Sequence, residues 1–149
     1  MKYSSVNNLQ DFEFHDAQME FISYADSKLV VSVKYLNIHK ATPQNDFETD
    51  MEINLAQITF EGLSVKLFQL SKDEKANISN RISTEKETEQ KYISELKHGI
   101  NIFEFGLFDS GFYYIDACGA EPWFTVQFSF KNVTVEWEEY SNKAWYEKD

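Results

Sequence analysis

The side chains of this sequence that could do chemistry are few and scattered. Three histidines, His15, His39 and His98, stand far apart, and none has a second ligand at a spacing that makes a zinc site. His15-Asp16 could join a base to an orienting carboxylate, but neighbours on a strand point to opposite faces, so Asp16 is expected to serve a turn. Cys118 is followed by Gly119, with no base or helix start nearby to lower its thiol pKa, and reads as a small buried residue at a strand end. No Gly-x-Ser-x-Gly elbow, phosphate loop or dinucleotide fingerprint occurs. The expectation is a protein with no catalytic residues, no metal and no cofactor, one that works by binding.

Two acidic groups could carry that binding. If Ile100 to Phe108 and Phe112 to Ala117 form a hairpin turned by Asp109-Ser110-Gly111, Glu104 lies directly across from Asp116. Like charges opposed on a sheet cost stability unless a proton, a cation or a basic partner intervenes. Glu121 is close enough in sequence to join them, and three carboxylates could hold a divalent cation. The plainer reading is another register, or two solvated side chains that avoid each other. The second group is the close of the chain, Glu136-Trp137-Glu138-Glu139-Tyr140 and Ala144-Trp145-Tyr146-Glu147, where aromatics offer contact area and carboxylates complement lysine or arginine. Its plainer reading is a last strand with Trp137 in the core and a short segment pinned by Trp145 and Tyr146. The candidate partner-binding residues are therefore Glu104, Asp116, Glu121, Glu136, Glu138, Glu139, Tyr140 and Trp145.

These residues must be positioned by strands. Phe124, Val126, Phe128 and Phe130 alternate with polar neighbours, and past Asn132 the parity switches to Val133, Val135 and Trp137. A hairpin with Lys131-Asn132 as its loop explains the switch, pairing Phe130 with Val133, Phe128 with Val135 and Val126 with Trp137. The rival is one long strand with a bulge at the same place. In the earlier hairpin, Phe103, Phe105 and Leu107 would share a face with Ala117, Ile115 and Tyr113. Ala17 to Tyr24 and Leu29 to Ile38 read as strands around Asp26-Ser27, with Leu29, Val31 and Val33 as one apolar row. Residues 40–50 read as a loop, and Met51 to Phe60 and Leu63 to Leu70 as strands parted by Glu61-Gly62. From Ser71 to His98 the residues are polar and rich in helix formers. A helix over about Thr84 to Lys97 is expected, capped by Ser83 or Thr84, ended by Gly99 and packed through Tyr92, Ile93 and Leu96. Asp73 to Asn80 reads as a surface loop, and Ile78 and Ile82 as isolated apolar positions.

Composition narrows the partners. The chain has 149 residues, enough for one core, and 16% aromatic content with 13 phenylalanines argues for a packed interior. Its net charge of -11 disfavours nucleic acid and anionic membranes, which need lysine and arginine to neutralise phosphates. Such a field draws in basic partners over about 8 Å in physiological salt, and at the least keeps the protein soluble. A single cysteine allows no internal disulfide, and the first residues show no signal core. A cytoplasmic location is expected, as is a single domain over residues 1–149.

The Phe14-His15-Asp16-Ala17 opening and the Val135-Glu136-Trp137-Glu138-Glu139-Tyr140 and Ala144-Trp145-Tyr146-Glu147 close resemble small acidic β-rich bacterial proteins of unassigned function, some of them immunity partners of polymorphic toxins. The resemblance covers the two ends of the chain and transfers no functional residues. The expected architecture is mainly β, an antiparallel sandwich or partly closed barrel of about 7–9 strands with one helix near residues 84–98. The expected function is non-enzymatic binding of a basic protein, as in immunity-type inhibition of a toxin or nuclease. A small-ligand or carbohydrate-binding β domain is the alternative, and a motif-less enzyme ranks third. An exposed strand edge or the aromatic tail would also permit a homodimer.

Overall fold

The row Leu29, Val31 and Val33 builds the central hairpin of the protein. In a computed structural model that describes residues 1–70 and 85–147, all three are fully buried on β4 (Lys28–Lys34), which pairs with β3 (Gln18–Ala25). Their two-residue loop, Asp26 and Ser27, has both φ angles positive, at 53° and 61°, the geometry whose twist matches the flanking strands. The expected cap residues Ser83 and Thr84, the loop Asp73 to Asn80, and Ile78 and Ile82 lie outside the described residues.

The protein is mainly β, a sandwich-like fold with thirteen antiparallel strands among the described residues and no closed barrel. Nine form one sheet. Besides β3 and β4 these are β1 (Tyr3–Val6), β7 (Ala56–Glu61), β8 (Ser64–Gln69), β9 (Ile100–Leu107), β10 (Tyr113–Cys118), β11 (Phe124–Ser129) and β12 (Asn132–Trp137), in the order β1-β12-β7-β4-β3-β9-β10-β11-β8. Four short strands form a second sheet: β2 (Phe12–Glu13), β5 (Asn37–Ile38), β6 (Met51–Ile53) and β13 (Tyr140–Lys143), ordered β13-β6-β5-β2. The nine agree with the expected strand number, and the four are additions that follow a rule. Each continues a neighbour in the large sheet, β13 after β12, β6 before β7, β5 after β4 and β2 before β3, so one shared break folds the lower ends of four strands into a second sheet in the same order. At that break the backbone turns through Asp16 and Tyr35, both at positive φ.

The expected hairpin between β11 and β12 does not form. β11 pairs with β10 and β8, whereas β12 pairs with β1 and β7, so Phe130–Val133, Phe128–Val135 and Val126–Trp137 are not cross-strand pairs. Residues 56–69 and 124–137 instead form one long antiparallel ribbon that bends midway, with Asn132 opposite Glu61 before the corner and Ser129 opposite Ser64 after it. Gly62 turns the corner at φ 70°, and the Lys131 amide donates to the Glu61 carbonyl at 2.8 Å. A bend and a hairpin reverse apolar parity alike, and strands that switch layers at corners are a recurrent solution in packed sheets. In a flat sheet β7 and β11, five places apart, would be about 24 Å from each other. Yet the rings of Phe60 and Phe128 meet edge to face at 5.8 Å, so the sheet closes over its own apolar face. Phe60, Phe124 and Phe128 fill the space between the two layers.

The helix α1 (Glu85–His98) agrees with expectation and ends at Gly99, whose φ of 85° provides the left-handed stop. Tyr92 and Leu96 are buried and Ile93 half-buried; α1 packs across β3 and the edge strand β8. Burial holds the Tyr92 phenol far above its ordinary pKa. Phe128→Ala should cost about 3–5 kcal/mol in urea unfolding, because its neighbours cannot collapse into the space. Gly62→Ala should cost about 1–2 kcal/mol, through the left-handed backbone and crowding of the Lys131 side chain; a variant as stable as the parent would mean the bend is not set there.

Candidate functional site

The hairpin of β9 and β10 sets Glu104 opposite Asp116, as its alternation requires. Past that pair the register shifts, Ala117 facing Ile102, so Phe103 is the extra residue of a bulge and is pushed outward. This corrects the expected inner row: Ile100 and Ile102 are buried, Phe105 is half-buried, and Phe103 and Leu107 are exposed. The bulge thereby adds an aromatic ring to the outer, acidic face.

Hydroxyl donors, not cations, hold the two carboxylates. Tyr114 donates to Glu104 Oε1 at 2.8 Å and Thr125 donates to Asp116 Oδ1 at 2.5 Å. Tyr114 can reach Glu104 because its ring lies over Gly106, where a Cβ would come within 2.5 Å of it. The bond to Glu104, then burial, then the charges of Glu104 and Asp116 raise the Tyr114 phenol above its ordinary pKa. Among the described residues, no lysine or arginine pairs with either carboxylate. Stacked rings flank the pair: Phe108 on Tyr114 at 4.5 Å, and Phe103 on Trp123 at 5.3 Å. His15 extends the face. Its Nδ1 donates to the Phe103 carbonyl at 2.6 Å, and its ring lies 6.1 Å from that of Trp145, which is 58% exposed. Glu104, Asp116 and Trp145 thus share one acidic, aromatic surface.

The remaining candidates go elsewhere. The Glu121 amide donates to Glu95 Oε1 at 2.9 Å, which ties that turn to α1. No three carboxylate, histidine or cysteine side chains are placed to hold a metal among the described residues. Glu136 sits on β12 between Ser4 and Gln57, in the other layer of the sheet. Glu138 lies 3.5 Å from the amino group of Met1, and Glu139 Oε1 accepts from Asn54 at 3.0 Å. Tyr140 packs against Tyr3, Phe47 and Trp137 while donating to the Gln44 carbonyl at 2.7 Å. Trp137 is in the core, the plainer of its two readings. His15 and Asp16 stand 3.6 Å apart, beyond hydrogen-bond reach, because Asp16 sits in a left-handed turn at φ 67°. Cys118 is half-buried at the end of β10, more open than expected.

One constellation has no signal in the sequence. Asp50, in the loop before β6, accepts from His39 Nδ1 at 2.9 Å, the Tyr146 hydroxyl at 2.6 Å and the Lys40 amide at 2.8 Å. Its own amide donates to Glu147 at 3.1 Å, and its carbonyl accepts from Ala144 at 2.9 Å. Tyr146 is 96 residues away, so only folding unites the set. Burial would raise the Asp50 carboxyl, but the bonds from Tyr146, His39 and Lys40 outweigh it and hold the group below its ordinary value. Burial and the bond to Asp50 push the Tyr146 phenol far up. His39 and Asp50 form a base with its orienting carboxylate. No hydroxyl or thiol among the described residues bonds its other ring nitrogen, so a nucleophile is missing from the set.

No known protein-family model matches the chain, and no curated protein or solved structure is significantly similar to it. No described helix is long and apolar enough to cross a membrane.

Because the folded Asp50 pKa is depressed, its bonds stabilise the protein above the unfolded value of 3.8 and lose their effect as pH falls through the folded value. Asp50→Asn should therefore lower stability by about 1–3 kcal/mol at pH 7 in denaturant unfolding. The gap between variant and parent should close on acidification below pH 3.8; a gap that stays constant would show that the Asp50 charge is not what holds the tail.

Proposed function

We propose that this protein is a non-enzymatic binder of a basic protein, and that the outer face of β9, β10 and β11 is its contact surface. The observation that supports this most is the opposed pair Glu104 and Asp116, held only by neutral hydroxyls and flanked by the Phe103–Trp123 and Phe108–Tyr114 stacks. Two carboxylates side by side present a charge that a lysine or arginine would relieve, and the adjoining rings offer it a π face. Phe103, Leu107, Phe108 and Trp145, each at least 37% exposed, add apolar area around the charge, the mixture that anchors interfaces. The net charge of -11 would speed the encounter.

In this reading the protein acts stoichiometrically, as an immunity-type inhibitor occupies the basic cleft of a toxin or nuclease, in a reducing cytoplasm compatible with its one free thiol. A small-ligand pocket between the layers has less support. The phenylalanines fill that space, and the apolar concavity at its rim, lined by Leu9, Phe12, Phe14, Phe105, Leu107 and Tyr113, holds about 240 Å³. Ligand pockets more often span ~300–1,000 Å³.

A pull-down from native cells should recover a basic protein whose association slows as salt rises. Glu104→Gln with Asp116→Asn should weaken that complex by about tenfold or more while leaving the fold intact, since each change keeps the side-chain shape. Unchanged affinity in the double variant, measured by titration calorimetry, would remove this face from the interaction.

A further inference from the structure

The outer face of the small sheet carries a second polar arrangement, which borders the β9–β11 surface at Trp145 and Glu13 but is built from other side chains than the opposed Glu104 and Asp116. Asn37 is the cross-strand partner of both Glu13 and Glu52, and Asn142 extends the row beyond Glu52. Paired residues of a sheet share a face, so these four side chains lie together, opposite the buried Phe12, Ile38 and Met51. An outer row normally meets water, yet Asn37 is 0% exposed. The segment that runs along this side is the strap Ala144–Glu147, tied to Asp50 as described. Tyr146 feels the Glu13 charge, while Ala144, Trp145 and Glu147 line an open concavity of about 550 Å³ with Glu52, Asn142 and Lys143. The strap thus begins beside Glu52 and carries Trp145 to within 6.1 Å of the His15 ring, just past β2, so it spans the row in which Asn37 stands between Glu52 and Glu13.

This closed arrangement is poorly satisfied. Both amide atoms of Asn37 are buried without a hydrogen-bond partner, an uncommon and costly state for a side chain that can donate twice and accept twice. Glu13 and Glu52 flank Asn37 in the sheet, and Asp50 and Glu147 stand about the strap, with Lys143 and His39 as the basic groups beside them. A hydroxyl or amide bonds one oxygen of Glu13, Glu52 and Glu147, from Phe14, Ser141 and Asp50 respectively, which leaves acceptor capacity on each. The acids are spread too widely for one small metal ion, consistent with the absence of a metal-holding group among the described residues. A larger cation with several N–H donors could bridge them, and the exposed ring of Trp145 at the rim offers it a π face.

We propose that the strap-covered face is a binding site for an organic cation of the alkylammonium or guanidinium kind, received between Asn37, Glu52 and Glu147 beside Trp145 as the strap lifts. The cation gives Asn37 Oδ1 a donor and relieves repulsion among the carboxylates, gains that the closed strap lacks. Tyr146, through its bond to Asp50, is the latch.

Titration calorimetry of the full-length protein at low salt, with agmatine as the probe, tests this. A single saturable site is expected, weakened about tenfold or more by Glu52→Gln with Glu147→Gln, and tightened severalfold by Tyr146→Phe, which loosens the latch. Both variants alter exposed or half-buried positions, so loss of folding, monitored by circular dichroism, is not expected to mask the result. A capped arginine tripeptide forms the second arm: binding as tight as that of agmatine assigns the site to a protein side chain, and binding of agmatine alone assigns it to a free amine. No saturable binding up to about 10 mM of either probe, or affinities that neither variant changes, would overturn the proposal.

Discussion

The sharp bend shared by residues 56–69 and 124–137 is the constraint on which the rest of the molecule depends. It is made where Gly62 takes a left-handed conformation and the Lys131 amide bonds the Glu61 carbonyl. Both strands change layer there without losing their pairing, so a single sheet supplies both walls of the core, and Phe60 on one wall meets Phe128 on the other. Everything apolar follows from that closure: the buried aromatics interdigitate, α1 covers the β8 edge, and the outer rows are left to polar and acidic side chains. The β9–β10 hairpin belongs to the wall that the bend brings round, with its outer face turned away from the core.

Much of this was legible in the sequence where neighbours in the chain are also neighbours in space. The β3–β4 and β9–β10 hairpins follow from alternation and turn residues, and the latter carries the Glu104–Asp116 opposition with it. Alternation fails where pairing is non-local. The parity switch at Lys131 is the same for a hairpin as for a corner, and only the partners of β11 and β12, far off in sequence, decide between them. For the same reason the residues of the acidic tail are spread over several neighbourhoods. Glu136, Glu138 and Glu139 face different neighbours, Tyr140 packs inward, and Trp145 alone arrives beside the Glu104–Asp116 face. The bulge at Phe103 and the His39–Asp50–Tyr146 set had no local signature, because each rests on contacts between distant segments.

A common thread runs through the acidic residues that the structure organises. Glu104, Asp116, Asp50, Glu52 and Glu139 accept hydrogen bonds from hydroxyls, amides or an imidazole, and none of them is paired with a lysine or arginine among the described residues. Hydroxyls and amides fix the direction of a carboxylate without cancelling its charge, whereas a lysine would do both. The fold therefore orients its acids and keeps their field, which is the physical property a binder of basic surfaces needs.

Hydrogen exchange on the complex with the basic protein recovered from native cells tests this account most directly, because it locates the contact without assuming it. Slowed exchange is predicted in β9, β10 and the Trp123 turn, with the amides of β1, β12 and β7 unchanged on binding. Protection confined to β1, β12 and β7, with β9 and β10 exchanging as in the free protein, would contradict it.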